Sequence, residues 1–282
     1  MMKRWRRIIA TTMVMLAGCG DLPRDANASD DADAPSALPD RVTPDLKAYE
    51  QAGAQLVAKL GQPGTSITPP DENDPSFRVF RDQAWALKDV LGSSQFPVGI
   101  KTSESVCGPA TSVILGYQLA GAHALPKGGD EAATVNAITQ LSTRNMAEHF
   151  DQLFPIMIFG THCLMAHIPV MEDFVKNLPS QSLTETRIKG IRQIRSGVFN
   201  SVSGLMMMIS DPQLGQSRRT AVLKTLAEDV SLLPIALPQA ELDKIRDQLQ
   251  EVRPFLDKET QPYFEEINEK LVSVHCGALC ST

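Results

Sequence analysis

Apolar side chains recur every three to four residues along most of the chain after residue 45, and this spacing predicts α-helices. The first run extends from Leu46 to Leu60. It follows Thr43-Pro44 and stops at Gly61. This arrangement predicts an N-cap at Thr43, a proline at the first helical position and a glycine stop.

The same spacing continues to the C-terminus. Asp74-Pro75 predicts the start of a second helix, Ser182 and Glu185 have the spacing of a capping box, and Pro234 predicts a break. The remaining helical runs are Phe77 to Leu91, 110 to 124, Val135 to Leu153, 156 to 178, Ile188 to Ile209, Leu223 to Leu233, Leu242 to Val252 and 260 to 274. No run alternates with period two, and no segment repeats at 20 to 50 residues. The sequence therefore predicts an all-α fold, an irregular bundle of about eight or nine helices.

One segment of this pattern also meets the length test for a membrane span. Residues 153–171 carry no formal charge, and about 20 apolar residues suffice to cross a bilayer. The segment also holds two prolines and two histidines, which are costly in a lone span. A central helix buried by its neighbours explains the same composition, and this is the interpretation we favour.

The N-terminus has a different pattern. Four basic residues precede an uncharged run from Ile8 to Ala17, which is too short for a stable span but typical of an export signal. The run ends in Leu16-Ala17-Gly18-Cys19, which resembles the lipobox of bacterial lipoproteins. The resemblance implies cleavage before Cys19, lipid on its sulfur and amino group, and attachment of the mature protein to a membrane.

Composition then divides the chain into three parts. Residues 1–18 are the predicted signal peptide. Residues 19–45 hold the lipidated Cys19 and an acidic, proline-containing stretch with few large apolar side chains, which predicts a flexible tether. Residues 46–282 are the predicted helical domain, long enough for one sizeable core.

Charge and position limit the partners. The whole chain has a net charge of −6, and the signal carries four positive charges and no acidic residue, so the mature chain is more acidic still. Nucleic-acid binding depends on basic side chains that neutralise phosphates, so we expect no nucleic-acid partner. Because Gly20, not an aspartate, follows Cys19, we expect the outer membrane, facing the periplasm, in preference to the inner membrane.

Four cysteines remain besides Cys19. In an oxidising compartment they are expected to form two disulfides, for which three pairings are possible. We favour Cys107–Cys163, which would join two predicted helices, and Cys276–Cys280, which closes a small ring. The other pairings stay open on sequence alone.

Cys107 also supports an alternative interpretation. The stretch Val106-Cys107-Gly108-Pro109-Ala110 resembles the nucleophile region of papain-like peptidases of the bacteriocin-processing type. That family starts a helix at the cysteine and needs a histidine and an acidic or amide partner on a downstream sheet. His162 or His167 with Asp173 would have to serve, although their surroundings predict helix, and Gln95 is poorly placed as the oxyanion residue.

Metal and cofactor motifs are weak. Cys163 and His167 are four residues apart and His162, His149 and Met171 are near in sequence, but a closed zinc site needs a further ligand pair at defined spacing. Met206-Met207-Met208 point in different directions around a helix, so core packing explains them better. The chain has no phosphate loop or dinucleotide fingerprint. We therefore expect no metal and no cofactor.

Basic side chains on the predicted helix 188–209 and beyond are interpreted as a solvated face, with one exception. Arg192, Arg218 and Arg219 are assigned to that face. Arg195 falls on the apolar stripe, and a partly buried arginine needs a carboxylate or several carbonyls. We expect an internal ion pair at Arg195.

Together these observations favour a non-enzymatic, lipid-anchored helical protein that binds another protein in the periplasm. One form of it is an immunity lipoprotein that neutralises a toxin delivered into the envelope. The alternatives are a thiol hydrolase using Cys107, and an envelope scaffold or biogenesis lipoprotein.

Overall fold

The computed structural model describes residues 42–61, 68–99, 103–125, 131–212, 214–272 and 276–282, with Pro39 and Thr65 in addition. Within these ranges the regular structure is helical and no strand is present, which confirms the all-α fold. The α-helices are α1 (Leu46–Leu60), α2 (Pro75–Lys88), α3 (Gly108–Gln118), α4 (Glu131–Glu148), α5 (Phe150–Ala166), α6 (Ile168–Lys176), α7 (Glu185–Ile209), α8 (Gln216–Asp229), α9 (Leu233–Ala236), α10 (Gln239–Val252), α11 (Gln261–Lys270) and α12 (Ala278–Ser281). Shorter helical turns are Ser103–Cys107, Ala122–Ala124, Ser180–Ser182, Val230–Leu232 and Arg253–Phe255.

The start of α1 differs from the sequence prediction. Its N-cap is Asp45, whose carboxylate accepts the backbone N–H of Ala48, so Thr43 and Pro44 lie before the helix. Aspartate is as good an N-cap as any residue, and its extended backbone leaves no place for Pro44 inside the helix. The predicted stop is confirmed, because Gly61 caps α1 with a φ of 67°.

The α7 start is corrected in the same way. Thr184 is the N-cap, its hydroxyl accepts the N–H of Arg187, and Ser182 belongs to the preceding turn Ser180–Ser182. The backbone carbonyl of Ser182 instead accepts a bond from the Arg187 guanidinium. By contrast, Asp74 and Pro75 open α2 as predicted, with Asp74 accepting two backbone N–H groups.

The contacts divide the chain into two compact units, of which the first is Leu38–Cys163. Its core is aromatic: Tyr49 stacks on Phe80 with ring centroids 4.6 Å apart and meets the edge of Phe159 at 5.6 Å. The Tyr49 hydroxyl donates to the carbonyl of Val106 at 2.6 Å. A side chain on Gly53 would lie 2.9 Å from Phe80, so this close approach of α1 to α2 requires a glycine.

The second unit is Leu164–Thr282. Its longest helix, α7, packs on α10, and α8 packs on α11. The break predicted at Pro234 is present, since α8 ends at Asp229 and the short α9 holds the proline in its first turn. The sequence pattern gave no sign of α12, which packs against α6, α7 and α9.

The apolar segment is part of the core. The stretch Phe150–Lys176 is long and apolar enough to cross a membrane, but 72 % of its most apolar 18-residue window is buried inside the protein. Pro155 lies inside α5, in its second turn, where the missing N–H removes one helical hydrogen bond. The burial of Leu153, Ile156 and Phe159 is that of a core helix.

Candidate functional sites

The first candidate site surrounds Cys107, which is bonded to Cys163 with Cα atoms 5.7 Å apart. Cys107 immediately precedes α3, and Pro109 occupies its first turn. Cys163 lies on α5 and is fully buried. The disulfide therefore fastens the start of α3 to the core helix, and it is the pairing favoured from the sequence.

This bond removes the nucleophile that a thiol hydrolase would need, because only the free thiolate attacks. The residues proposed to complete a papain-like site lie on or beside helices, and His167 is the N-cap of α6. His162 lies inside α5, and Asp173 lies in α6, where it accepts a bond from Asn177 at 2.9 Å. The resemblance at Cys107 thus reproduces the helix start of the peptidases but not the sheet that carries the other residues.

The histidines considered as metal ligands have other surroundings. His149 shares a 2.6 Å hydrogen bond with Gln152, and burial lowers the pKa of His149 below its usual value. His162 lies 3.5 Å from the carbonyl of Leu91. Cys163 has no thiolate to offer while it is bonded to Cys107. His167 is the N-cap of α6 and Met171 lies within that helix, and both are buried.

The methionine run packs as expected for core side chains. Met206 and Met208 are buried, whereas Met207 is 39 % exposed. Consecutive positions on a helix point about 100° apart, so the three sulfurs do not converge.

A second disulfide, Cys276–Cys280, closes a small ring at the C-terminus, with Cα atoms 5.3 Å apart. We call residues 276–282 the C-terminal hook. Glu172, on α6, holds it: both carboxylate oxygens accept backbone N–H groups, from Ala278 and from Leu279, each at 2.7 Å. A side chain on Gly277 would lie 2.6 Å from this carboxylate, so glycine is required there.

Arg195 also contacts the hook. Its Nη1 donates to the carbonyl of Cys280 at 3.0 Å. A backbone carbonyl thus takes the hydrogen bond, and the charge partner expected for Arg195 acts without one: the Glu241 carboxylate interacts with Arg195 electrostatically. Burial raises the pKa of Glu241, and Arg195 partly offsets this.

Arg219 corrects the assignment of a solvated basic face. It is 3 % exposed, and its guanidinium donates to the carbonyls of Ile209 and Asp211 at 2.9 Å and 2.8 Å. Burial lowers the pKa of Arg219 from its usual value. Arg219 thus caps the C-terminal end of α7, a role that the local sequence does not reveal. Arg192, in contrast, is exposed as expected.

The sequence pattern also does not show that the two halves of α4 differ in burial. The predicted helical run from Val135 to Leu153 includes Leu141 and Met146, which are buried. Val135 is instead 57 % exposed. With Ala132, Asn136 and Thr139 it lines a shallow surface depression. We call these four residues the α4 face.

No protein-family model matches the chain, and neither does any curated protein or any solved structure. Function must therefore be argued from the residues themselves. Cys19 and the predicted tether lie outside the described residues.

Proposed function

We propose that the chain is a lipid-anchored protein of the bacterial envelope that binds another protein through the α4 face, in the manner of an immunity lipoprotein. The observation that carries the proposal is the exposure of an uncharged helix surface. The lipobox-like sequence ending at Cys19 supports the anchor and the compartment.

The α4 face has the geometry of a recognition surface. Its residues Ala132, Val135, Asn136 and Thr139 are spaced by three, four and seven positions, so they lie on one side of the helix. All four are exposed. Helices are commonly recognised through anchors at this spacing.

The composition of the helix around this face is unusual for a solvent-facing surface. Residues 132–143 contain no charged side chain, whereas 21 % of the whole chain is charged. Depletion of charge distinguishes the centre of a protein interface from the rest of the surface. The small side chains would let a partner backbone approach closely. The Asn136 amide would donate to it, and the Thr139 hydroxyl, whose proton goes to the carbonyl of Val135, would accept from it.

The rest of α4 supplies rigidity. Its C-terminal half is packed, with Leu141, Ser142 and Met146 buried. Asn145, also buried, donates to three carbonyls at the end of α3: those of Tyr117, Gln118 and Ala120. A binding surface on a helix fixed at its other end loses little conformational entropy when a partner binds.

The disulfide at Cys107 counts against the thiol-hydrolase alternative. A hydrolase of that type would be inactive while Cys107 is bonded to Cys163. A binding protein, in contrast, gains from a bond that fixes α3 to the core.

The proposal is tested by protection of living cells. A strain lacking the gene is complemented with the wild-type chain, with Val135→Asp, or with the matched control Val272→Asp, whose valine is equally exposed at 57 %. We expect the deletion strain to be killed by sibling cells, the wild type and the control to restore survival, and Val135→Asp to fail. Equal amounts of folded protein in the membrane fraction must accompany this result.

Two outcomes would contradict the proposal. The deletion strain survives contact with siblings as well as the parent does, or Val135→Asp protects as well as Val272→Asp. The first result rejects immunity. The second rejects the α4 face as the binding surface.

A further inference from the structure

The Cys276–Cys280 disulfide differs from the other disulfide in its exposure to solvent. Cys276 is exposed, whereas Cys280 is 4 % exposed and Leu279 beside it is fully buried. A thiol from solution can therefore reach one sulfur of this bond but not the other. In the Cys107–Cys163 bond, Cys163 is fully buried and Cys107 only partly exposed.

The charges around the hook are also unequal. The Glu172 carboxylate is bonded to the backbone at Ala278 and Leu279 and would touch any side chain on Gly277, the neighbour of Cys276. A negative charge there disfavours a thiolate on Cys276. It does not block attack by a thiol on the bonded, uncharged sulfur.

At the other end of the ring Arg195 contributes a positive charge, which the Glu241 carboxylate offsets in part. Arg195 donates to the carbonyl of Cys280 through Nη1. Its Nε–H is buried and has no hydrogen-bond partner among the described residues. A cation held on the residue that carries the sulfur favours the thiolate form of that sulfur. This N–H group is a donor with no acceptor among the described residues, and in the proposal it donates to the thiolate formed on Cys280.

We propose that the hook is a site of S-thiolation, in which a small-molecule thiol of the glutathione class is captured on Cys276. The thiolate of the small molecule attacks the Cys276 sulfur and forms the new S–S bond. The Cys276–Cys280 bond breaks and its electron pair leaves on Cys280 as a thiolate beside Arg195. One disulfide is consumed and one is formed, so no further oxidant or reductant is needed.

The direction of attack follows from the unequal exposure of the two cysteines and from the unequal charges beside them. Exchange is faster when the attacked sulfur is accessible and when the leaving thiolate is more stable. Exposure selects Cys276 as the attacked atom, and Arg195 selects Cys280 as the leaving group. The inference is independent of the proposed function, because it uses only contacts within residues 164–282.

The test follows exchange on the purified full-length mature chain. The protein is incubated briefly with reduced glutathione, and N-ethylmaleimide in excess then caps every free thiol. Peptide mass mapping is expected to find glutathione on Cys276 and maleimide on Cys280. Cys107 and Cys163 are expected to remain bonded to each other.

The role of Arg195 is tested by measuring the rate at which the glutathione adduct forms. We expect Arg195→Gln to slow the appearance of the adduct about threefold. The effect is modest because the exchange rate depends only in part on the stability of the leaving thiolate. Arg195→Lys keeps the charge and is expected to react near the wild-type rate. Arg192→Gln, the matched control, removes an exposed arginine from the preceding turn of α7 and is expected to change nothing.

The results that would overturn the proposal are specific. Glutathione found equally on Cys276 and Cys280, or found mainly on Cys107 or Cys163, rejects the selectivity. Equal rates for Arg195→Gln and Arg192→Gln reject the role of Arg195. If Arg195→Gln does not fold, the neutral variant Arg195→Met takes its place in the rate comparison, and the location of the adduct in the wild type still decides the selectivity.

Discussion

At the scale of single residues, Asn145 is the polar side chain that contributes most clearly to the fold. Its amide donates to the carbonyls of Tyr117, Gln118 and Ala120 at 3.2, 3.1 and 2.9 Å and is buried. These carbonyls lie at and just beyond the end of α3, where helical partners are missing. Asn145 therefore acts as a C-cap supplied by another helix.

We predict that Asn145→Ala lowers the free energy of unfolding by about 1–3 kcal/mol, because buried acceptors lose their donor. Asn200→Ala on the exposed side of α7 is the control and should change stability by less than about 0.5 kcal/mol. Urea unfolding of the two variants beside the wild type measures the difference. Equal losses for both would show that the Asn145 bonds contribute nothing.

Glu241 gives a prediction about pH. Burial raises the pKa of its carboxyl group, and one carboxylate oxygen is buried without a hydrogen-bond partner among the described residues. The folded state then holds this proton more tightly than the unfolded state, so stability falls as pH rises through the folded-state pKa. The cost is present at neutral pH and absent below the unfolded pKa of about 4.3.

Replacing Glu241 by glutamine should accordingly raise the melting temperature at pH 7 and leave it unchanged near pH 3.5 to 4. Glu251→Gln, at an exposed position of the same helix, serves as the comparison. Thermal unfolding monitored by circular dichroism across this pH range measures the difference. A glutamine variant that is less stable than the wild type at pH 7 would mean that the Arg195 attraction outweighs burial.

At the scale of helices, the Cys107–Cys163 bond joins α3 to α5 and encloses a much longer loop than Cys276–Cys280. The sequence separations are 56 and 4 residues. In the chain-entropy model the bonds contribute about 4 and about 2 kcal/mol to stability. The double variant Cys107→Ser with Cys163→Ser should therefore lose more stability than Cys276→Ser with Cys280→Ser. Denaturant unfolding compares them, and a larger loss from the short ring would contradict this ranking.

Helix positions followed from the sequence where apolar spacing and local end signals agreed. Asp74-Pro75 and Gly61 delimit helices as predicted, because their effects are confined to a few neighbouring residues. The wrong N-caps, Thr43 and Ser182, each lay two residues before an equally suitable oxygen. Local pattern cannot choose between adjacent residues that offer the same hydrogen bond.

The candidate sites were less predictable because their contacts join distant parts of the sequence. Glu172 is bonded to the hook across 106 and 107 residues, and Arg195 reaches Cys280 across 85. Nothing in the sequence near Glu172 indicates this role. Val135 shows a second reason why the site was hard to predict. Helical spacing predicts which residues share a face of a helix, but it does not show where along the helix other elements stop covering that face.

At the scale of the whole molecule, we propose that lipid on Cys19 anchors the protein to a membrane. Three acyl chains, which the lipobox resemblance implies, would make release from a membrane negligible, since each buried methylene contributes about 0.8 kcal/mol. We predict that metabolic labelling with an alkyne fatty acid marks the wild-type chain, and that Cys19→Ser abolishes both the label and partition into detergent. The double variant Cys276→Ser with Cys280→Ser is the control and should remain labelled. If Cys19→Ser keeps the label, the lipobox prediction is contradicted.

Site-specific photo-crosslinking in living cells tests whether the α4 face binds another protein in the cell envelope, as we propose. A photoreactive amino acid is placed at Asn136 of the full-length chain and, as a control, at exposed Gln250 on α10. We predict one discrete adduct at Asn136, identifiable by mass spectrometry as an envelope-targeted toxin in contacted cells and lost with Val135→Asp, and none at Gln250. Absence of an adduct at Asn136, or the same adducts at both positions, would contradict the account.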